Sequence, residues 1–312
     1  MKPIAFFAAL TFICLSLVLT VEAFSQDQEP YLVKNFSVNA PAILEVKTSG
    51  GSISVERGNS DEVEVRMFVK KNGIRWFSSD DDIAEELEEY EIDIRQEGNT
   101  VMAIARRENR GWSSNPLSIS FAVSTPTQTS AKLNTSGGSI RMKGLEGEHD
   151  VRTSGGSLNF DDITGYTQAR TSGGSINVDH YAGVLDARTS GGSITARSSE
   201  GEIALHTSGG SIRLDEVSGS IDAHTSGGSI RANVKELGEY LTLRTSGGSV
   251  SAVIPKNQGL DLDLSGNRVN TRLENFSGES EKNHIEGSMN GGGVAVTMKT
   301  SGGSVTLDYH NR

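Results

Sequence analysis

The chain has 312 residues, with 40 acidic against 29 basic side chains and a formal net charge of −11. That acidic balance argues against nucleic acid as a partner, because binding to phosphates is carried by lysine and arginine. The single cysteine, Cys14, sits in an N-terminal apolar run, so the rest of the chain has no disulfide, no thiol catalysis and no cysteine-based metal site.

Met1-Lys2, the apolar run from Ile4 to Val21 and the small residues around Ala23 and Ser25 have the charge, length and cleavage chemistry of a secretory signal peptide, assigned to residues 1–25. An uncleaved anchor is the competing reading, since the run approaches the length of a bilayer span. Thr11, Phe12 and Ile13 lack the small residue that a bacterial lipoprotein signal places before its cysteine. No later segment is apolar enough to cross a membrane, so an extracytoplasmic location is expected: periplasm, cell surface or secreted.

Residues 26–118 read as a first rung followed by a capping region, with Ala42 to Val55 carrying the earliest copy of Thr-Ser-Gly-Gly-Ser. Apolar alternation at Val63, Val65, Phe68 and Val69, and again at Ile92, Ile94, Val101 and Ile104, flanks an acidic stretch from Asp80 to Asp93. Ile83, Leu87 and Tyr90 keep a helical spacing there, which predicts a short inserted helix with Ser79 or Asp80 as its cap. Its carboxylates lack the fixed positions of a calcium loop and fit a solvated helix face.

Residues 119–312 form the repeating body. Thr-Ser-Gly-Gly-Ser occurs nine times in the whole chain, and the six starts from Thr135 to Thr225 are 18 residues apart without a slip. A fixed short period marks a stacked repeat. Counting the threonine as position 0, position 5 is Ile140, Leu158, Ile176, Ile194, Ile212 and Ile230, and position 7 is Met142, Phe160, Val178, Ala196, Leu214 and Ala232. Position 12 is glycine from Gly147 to Gly219, and position 16 is apolar from Val151 to Ala223. Displacement by nine superimposes glycine 3 on glycine 12, so each rung reads as two halves, each a glycine corner that accepts positive φ followed by a short strand. Leu185, Ile203 and Ile221 fill position 14 with the apolar residue this demands, whereas His149 and Thr167 do not.

The fold expected is therefore all-β: a single-stranded parallel β-solenoid, or β-helix, with 18-residue rungs and a short helical insertion near the N-terminus. One rung has too few apolar side chains to offset its own ordering entropy, so the rungs must fold as a stack. After Thr225 the spacing widens, which predicts longer loops around Pro255 to Gly259 and Asn275 to Asn290. Gly291 to Tyr309 restores the pattern and is expected to close the rod.

The residue before each threonine is Arg152, Arg170, Arg188, His206, His224 and Arg244 in successive units, with Asp150, Asp186 and Asp222 two positions earlier. On a strand both sets point outward, so stacking gives a basic file flanked by an acidic one. The file is a candidate stripe for an anionic ligand or glycan. The plainer reading is that aspartates neutralise like charges that the stacking brings together. Asp161, Asp162, Asp179, Asp215 and Glu216 could form an exposed acidic file of the kind a polysaccharide-cleaving β-helix needs, yet the rungs carry no loop insertions to build a groove. His149, His180, His206, His224, His284 and His310 show no metal or triad spacing, and neither cofactor nor metal is expected. The aspartate of a calcium β-roll repeat is missing from its place, and inward threonines argue against ice binding.

The pentapeptide with its aliphatic alternation, Asn290-Gly291-Gly292-Gly293 before a final Thr-Ser-Gly-Gly-Ser-Val, and the lead-in Ile119-Ser120-Phe121-Ala122-Val123 before Pro126 resemble bacterial putative-adhesin domains of unknown function. These are β-helical modules related to the head domain of autotransporter-adhesin-like proteins. The resemblance covers residues 40 to 309 and implies an exported β-helix, with no catalytic residues to carry over. The leading expectation is a non-enzymatic adhesion or interaction scaffold of the envelope, facing a glycan or another envelope protein. A polysaccharide-cleaving enzyme and a self-assembling structural element are the alternatives.

Overall fold

A computed structural model describes residues 28–71, 75–77, 83–107, 117–256 and 258–310. The signal peptide assigned to residues 1–25 lies outside the described residues. The fold is all-β and β-solenoid-like: 23 strands join in one continuous sheet, and the helix among the described residues is the four-residue Ala84–Leu87.

In the repeating body, Ile140–Arg152, Leu158–Arg170 and Ile176–Thr189 pair in parallel, with Ile140 opposite Leu158 and Leu158 opposite Ile176. The register continues through Ile194, Ile212, Ile230 and Val250. Each coil turns positions 5, 7, 10, 14 and 16 inward. In one coil these are Leu158, Phe160, Ile163, Thr167 and Ala169, all buried. Side chains therefore stack in files, each residue lying on its counterpart in the next coil, and the files merge into one core along the whole molecule.

The pentapeptide has a hydrogen-bonding role at every position. Thr171 donates its hydroxyl to the Gly156 carbonyl of the preceding coil at 2.9 Å and accepts the N–H of Gly174 at 3.3 Å. The Gly173 N–H donates to the Ser154 carbonyl at 2.9 Å, and the Ser175 N–H donates to the Ser157 hydroxyl at 3.3 Å. Threonine is thus inward and serves the turn. The pentapeptide glycines, expected at corners with positive φ, do not adopt positive φ. Gly174 is required by close approach: a Cβ there would stand 1.9 Å from the Gly156 carbonyl oxygen. Left-handed backbone occurs instead at position 9, in Gly144, Asp162, His180, Ser198 and Glu216, with φ between 46° and 70°. Position 12 is also positive, as at Gly165 with φ 117°. The two halves of a rung are accordingly not equivalent.

Both ends depart from chain order. Ala42–Thr48 and Ile53–Arg57, the coil with the first pentapeptide, lie between the main array and a coil made of Thr100–Arg107 and Ser118–Thr125. That outer coil has no pentapeptide, but Ile119 and Ser120 supply its hydrogen bonds: Thr48 donates to the Ile119 carbonyl and the Ser52 N–H donates to the Ser120 hydroxyl. The other end repeats the arrangement. Val294–Thr300 pairs on one side with Ile230–Thr245 and on the other with Leu260–Ser265. The unit Gly291 to Tyr309 therefore does not close the stack, as its late position suggested; Leu260–Ser265 and Arg268–Thr271 lie outside it.

The sheet is also not parallel throughout. Antiparallel strands Tyr90–Glu97 and Glu62–Lys71 line the outer edge at one end, and Leu32–Ser37 lies on the latter. At the other end, the segment expected as a loop forms antiparallel strands Phe276–Ser280 and His284–Met289, which cover Leu260–Ser265. A reversed strand occupies the exposed hydrogen-bonding edge and removes a template for further parallel stacking.

Candidate functional site

In the second half of each coil, positions 13, 15 and 17 face outward, because strand side chains alternate between faces. The strand register places the predicted basic residues in one file: Arg152 opposite Arg170, then Arg188, His206, His224 and Arg244. Lys299 continues the file beyond Arg244, and Asn134 precedes Arg152.

Cations stacked at the strand spacing of about 4.8 Å repel one another unless compensated. Arg152 donates through Nε to Asp150 Oδ1 at 2.8 Å and reaches Gln168 Oε1 at 3.4 Å. Arg188 makes the same Nε contact with Asp186 at 2.8 Å, while Arg170 shares that carboxylate at 3.9 Å. The Asp186 hydrogen bond and charge hold the Arg188 pKa above its ordinary value. His206 and His224 stack with ring centroids 4.9 Å apart and planes 17° from parallel. Burial first, then the neighbouring His224 and Arg188, lowers the His206 pKa.

Beside this file runs a groove of about 530 Å³, lined by Arg152, Arg170, Arg188 and His206 and by the position-1 serines Ser154, Ser172, Ser190 and Ser208. The serine hydroxyls are on exposed residues, whereas the neighbouring threonines turn inward. The result is a shallow surface rich in matched donors and acceptors.

The acidic residues are arranged differently. Asp161, Asp179 and Asp215 fall in one file, interrupted by Arg197. Lys143 lies 3.2 Å and His180 3.3 Å from Asp161, Arg197 lies 3.1 Å from Asp179, and Asn233 donates to Asp215 at 3.1 Å. Lys235 pairs with Glu216 at 3.0 Å. Burial raises the Asp161 pKa, but hydrogen bonds from His180 and Lys143 outweigh it and leave the carboxyl below its ordinary value. Among the described residues, no group of three or more His, Cys, Asp or Glu side chains is placed to hold a metal ion.

Two features escaped the sequence reading. Tyr166 and Val184, at position 13, are opposite one another and exposed on the same face as the arginines. Their signal was present as apolar residues at a position held by Glu148 and Glu202 in the adjoining coils. The burial of His149 is the second: the sequence marked it only as a misfit at position 14, whereas it is buried, neither ring nitrogen has a hydrogen-bond partner, and burial pulls its pKa down to about 4.

Fold and surface together define an all-β scaffold with a long polar face. Residues 43–308 match the family described as Toastrack DUF4097, and the chain belongs to that family. Among solved structures it is similar to a putative adhesin from Bacteroides fragilis, at 12% identity and a TM-score of 0.36, covering 89% of this chain and 96% of the other. A putative lipid binding protein from Parabacteroides distasonis matches at 11% identity and TM-score 0.38, covering 91% and 98%. A putative cell adhesion protein from Clostridium sporogenes matches at 9% identity and TM-score 0.24, covering 90% and 100%. No curated protein matches the chain. No described helix is long and apolar enough to cross a membrane.

Proposed function

We propose that this protein is an exported, non-enzymatic interaction scaffold of the bacterial envelope. In this reading residues 1–25 are a cleaved signal, residues 26–118 the first rung and cap, and residues 119–312 a rod of single-stranded 18-residue coils that serves adhesion. The observation that carries it is the unbroken outward file Arg152, Arg170, Arg188 and His206 beside a serine-lined groove. A rigid stack repeats one set of donors at a fixed interval, which suits an extended partner, a glycan or another envelope protein, better than a small substrate. The catalytic alternative gains little from the acidic file, where Lys143 engages Asp161, Arg197 engages Asp179 and Asn233 donates to Asp215. Self-assembly through the rod ends is disfavoured by the antiparallel strands that cover them.

Replacing Arg152, Arg170 and Arg188 together by alanine tests the assignment. Binding of the mature protein to immobilised acidic and neutral polysaccharides should fall by about tenfold or more, with unchanged circular dichroism. Binding equal to wild type would remove the groove from the contact surface. Export is tested separately, by whether protease added to intact cells, or to cells with a permeabilised outer layer, degrades the protein.

A further inference from the structure

Beside the arginine file the same sheet face carries an exposed apolar patch. Tyr166 is 43% exposed and Val184 39%, and they lie directly opposite one another in neighbouring coils. Glu148 bounds the patch on one side and Glu202 on the other, so it is two coils long. Two residues further along each strand come Gln168 and Asp186, and two further still Arg170 and Arg188. All six share one face through strand alternation.

Two of the arginines on this face are already paired with carboxylates. Asp150 and Asp186 engage Arg152 and Arg188 through Nε, which leaves guanidinium N–H donors and carboxylate lone pairs side by side. A bare anion satisfies only the donors and is repelled by the carboxylates. A vicinal diol both donates and accepts and so meets both. An aromatic ring next to such pairs accommodates the apolar face of a pyranose, with its own polar tip left in water.

Spacing separates a glycan from a peptide. Coils recur about every 4.8 Å, close to the rise of one sugar unit in an extended polysaccharide, whereas same-face side chains of an extended peptide recur about every 6.6 Å. We infer that Tyr166 and Val184 form a platform for the pyranose rings of an uncharged polysaccharide lying along the coil stack, with the paired Arg–Asp side chains beside them holding its hydroxyls. The inference rests on the interaction-face reading above and specifies its partner.

Binding of the mature protein to cellohexaose, laminarihexaose and mannohexaose is to be compared with binding to polygalacturonate and poly-L-glutamate, each at about 50 and 500 mM salt. The expected result is binding to at least one neutral hexasaccharide, little changed by salt, weakened about tenfold by Tyr166→Ala and retained by Tyr166→Trp. Tyr166 is exposed, so the alanine variant should keep the wild-type melting temperature, which shows that lost binding is local. Binding confined to polygalacturonate or poly-L-glutamate, steeply salt-dependent and indifferent to Tyr166→Ala, would overturn this inference while leaving the arginine groove as a contact surface. Binding to no saccharide would overturn it as well, and would leave another envelope protein as the partner of the broader reading.

Discussion

Gly173 and Gly174 are neighbours in one turn, yet their tolerance to a side chain should differ sharply. A Cβ on Gly174 would lie 1.9 Å from a backbone oxygen, whereas one on Gly173 would come no nearer than an ordinary 3.7 Å, to the carbonyls of Ser154 and Gly155. Gly174→Ala should therefore destabilise by about 3 kcal/mol or more, through forced separation of two coils, and Gly173→Ala by less than about 1 kcal/mol. Urea unfolding of the two variants checks the contrast. Position 9 offers the converse case. Ser198 has φ 46°, so Ser198→Val should cost about 1–2 kcal/mol while Ser198→Gly should not destabilise. Thermal melts of the pair test this. His149 is held neutral in the fold, with its pKa near 4 against an ordinary value of 6.5. The unfolded chain then binds a proton that the folded chain refuses, so stability falls as pH drops from about 6.5 towards 4. His149→Leu, which suits the apolar file it joins, should raise stability at pH 5 more than at pH 7; an equal gain at both would contradict the assignment.

At the scale of elements, the inward files and their order within the array were legible from the 18-residue period, because strand alternation fixes which positions face the core. The ends were not legible. The pentapeptide marks a place in a hydrogen-bond ladder and not a place along the chain, so the first and last copies sit one coil in from each end. Ile119 and Ser120 make the same bonds without the motif, which hides their coil from a search for repeats. Of the candidate site, the arginine file was legible from spacing, while its pairing with Asp150 and Asp186 needed side-chain geometry. Asp261 illustrates an end contact that spacing does not reveal: it accepts from the Ser288 hydroxyl at 2.6 Å and the Gly293 N–H at 3.1 Å, which holds its pKa below the ordinary value. Asp261→Ala should loosen the Asn290 to Gly293 turn, seen as faster amide exchange in Phe276–Ser280 and His284–Met289 with the central coils unchanged.

For the molecule as a whole, equivalence of coils has a direct consequence. Thr207 to His224 is one complete repeat, and its removal would bring His206 next to Thr225 with every file still in register. Stability in a stacked array is a sum over coils and their interfaces, so such a deletion should lower stability without changing the fold. The same holds for Thr153 to Arg170, except that this coil carries Tyr166 and Arg170. The most direct test of the account, a scaffold of interchangeable coils with its contact surface on a few of them, is polysaccharide binding by these two deletion variants, each shown to unfold cooperatively. Retained binding without residues 207–224 and lost binding without residues 153–170 is the predicted result. Binding retained in both, or lost in both, would contradict it.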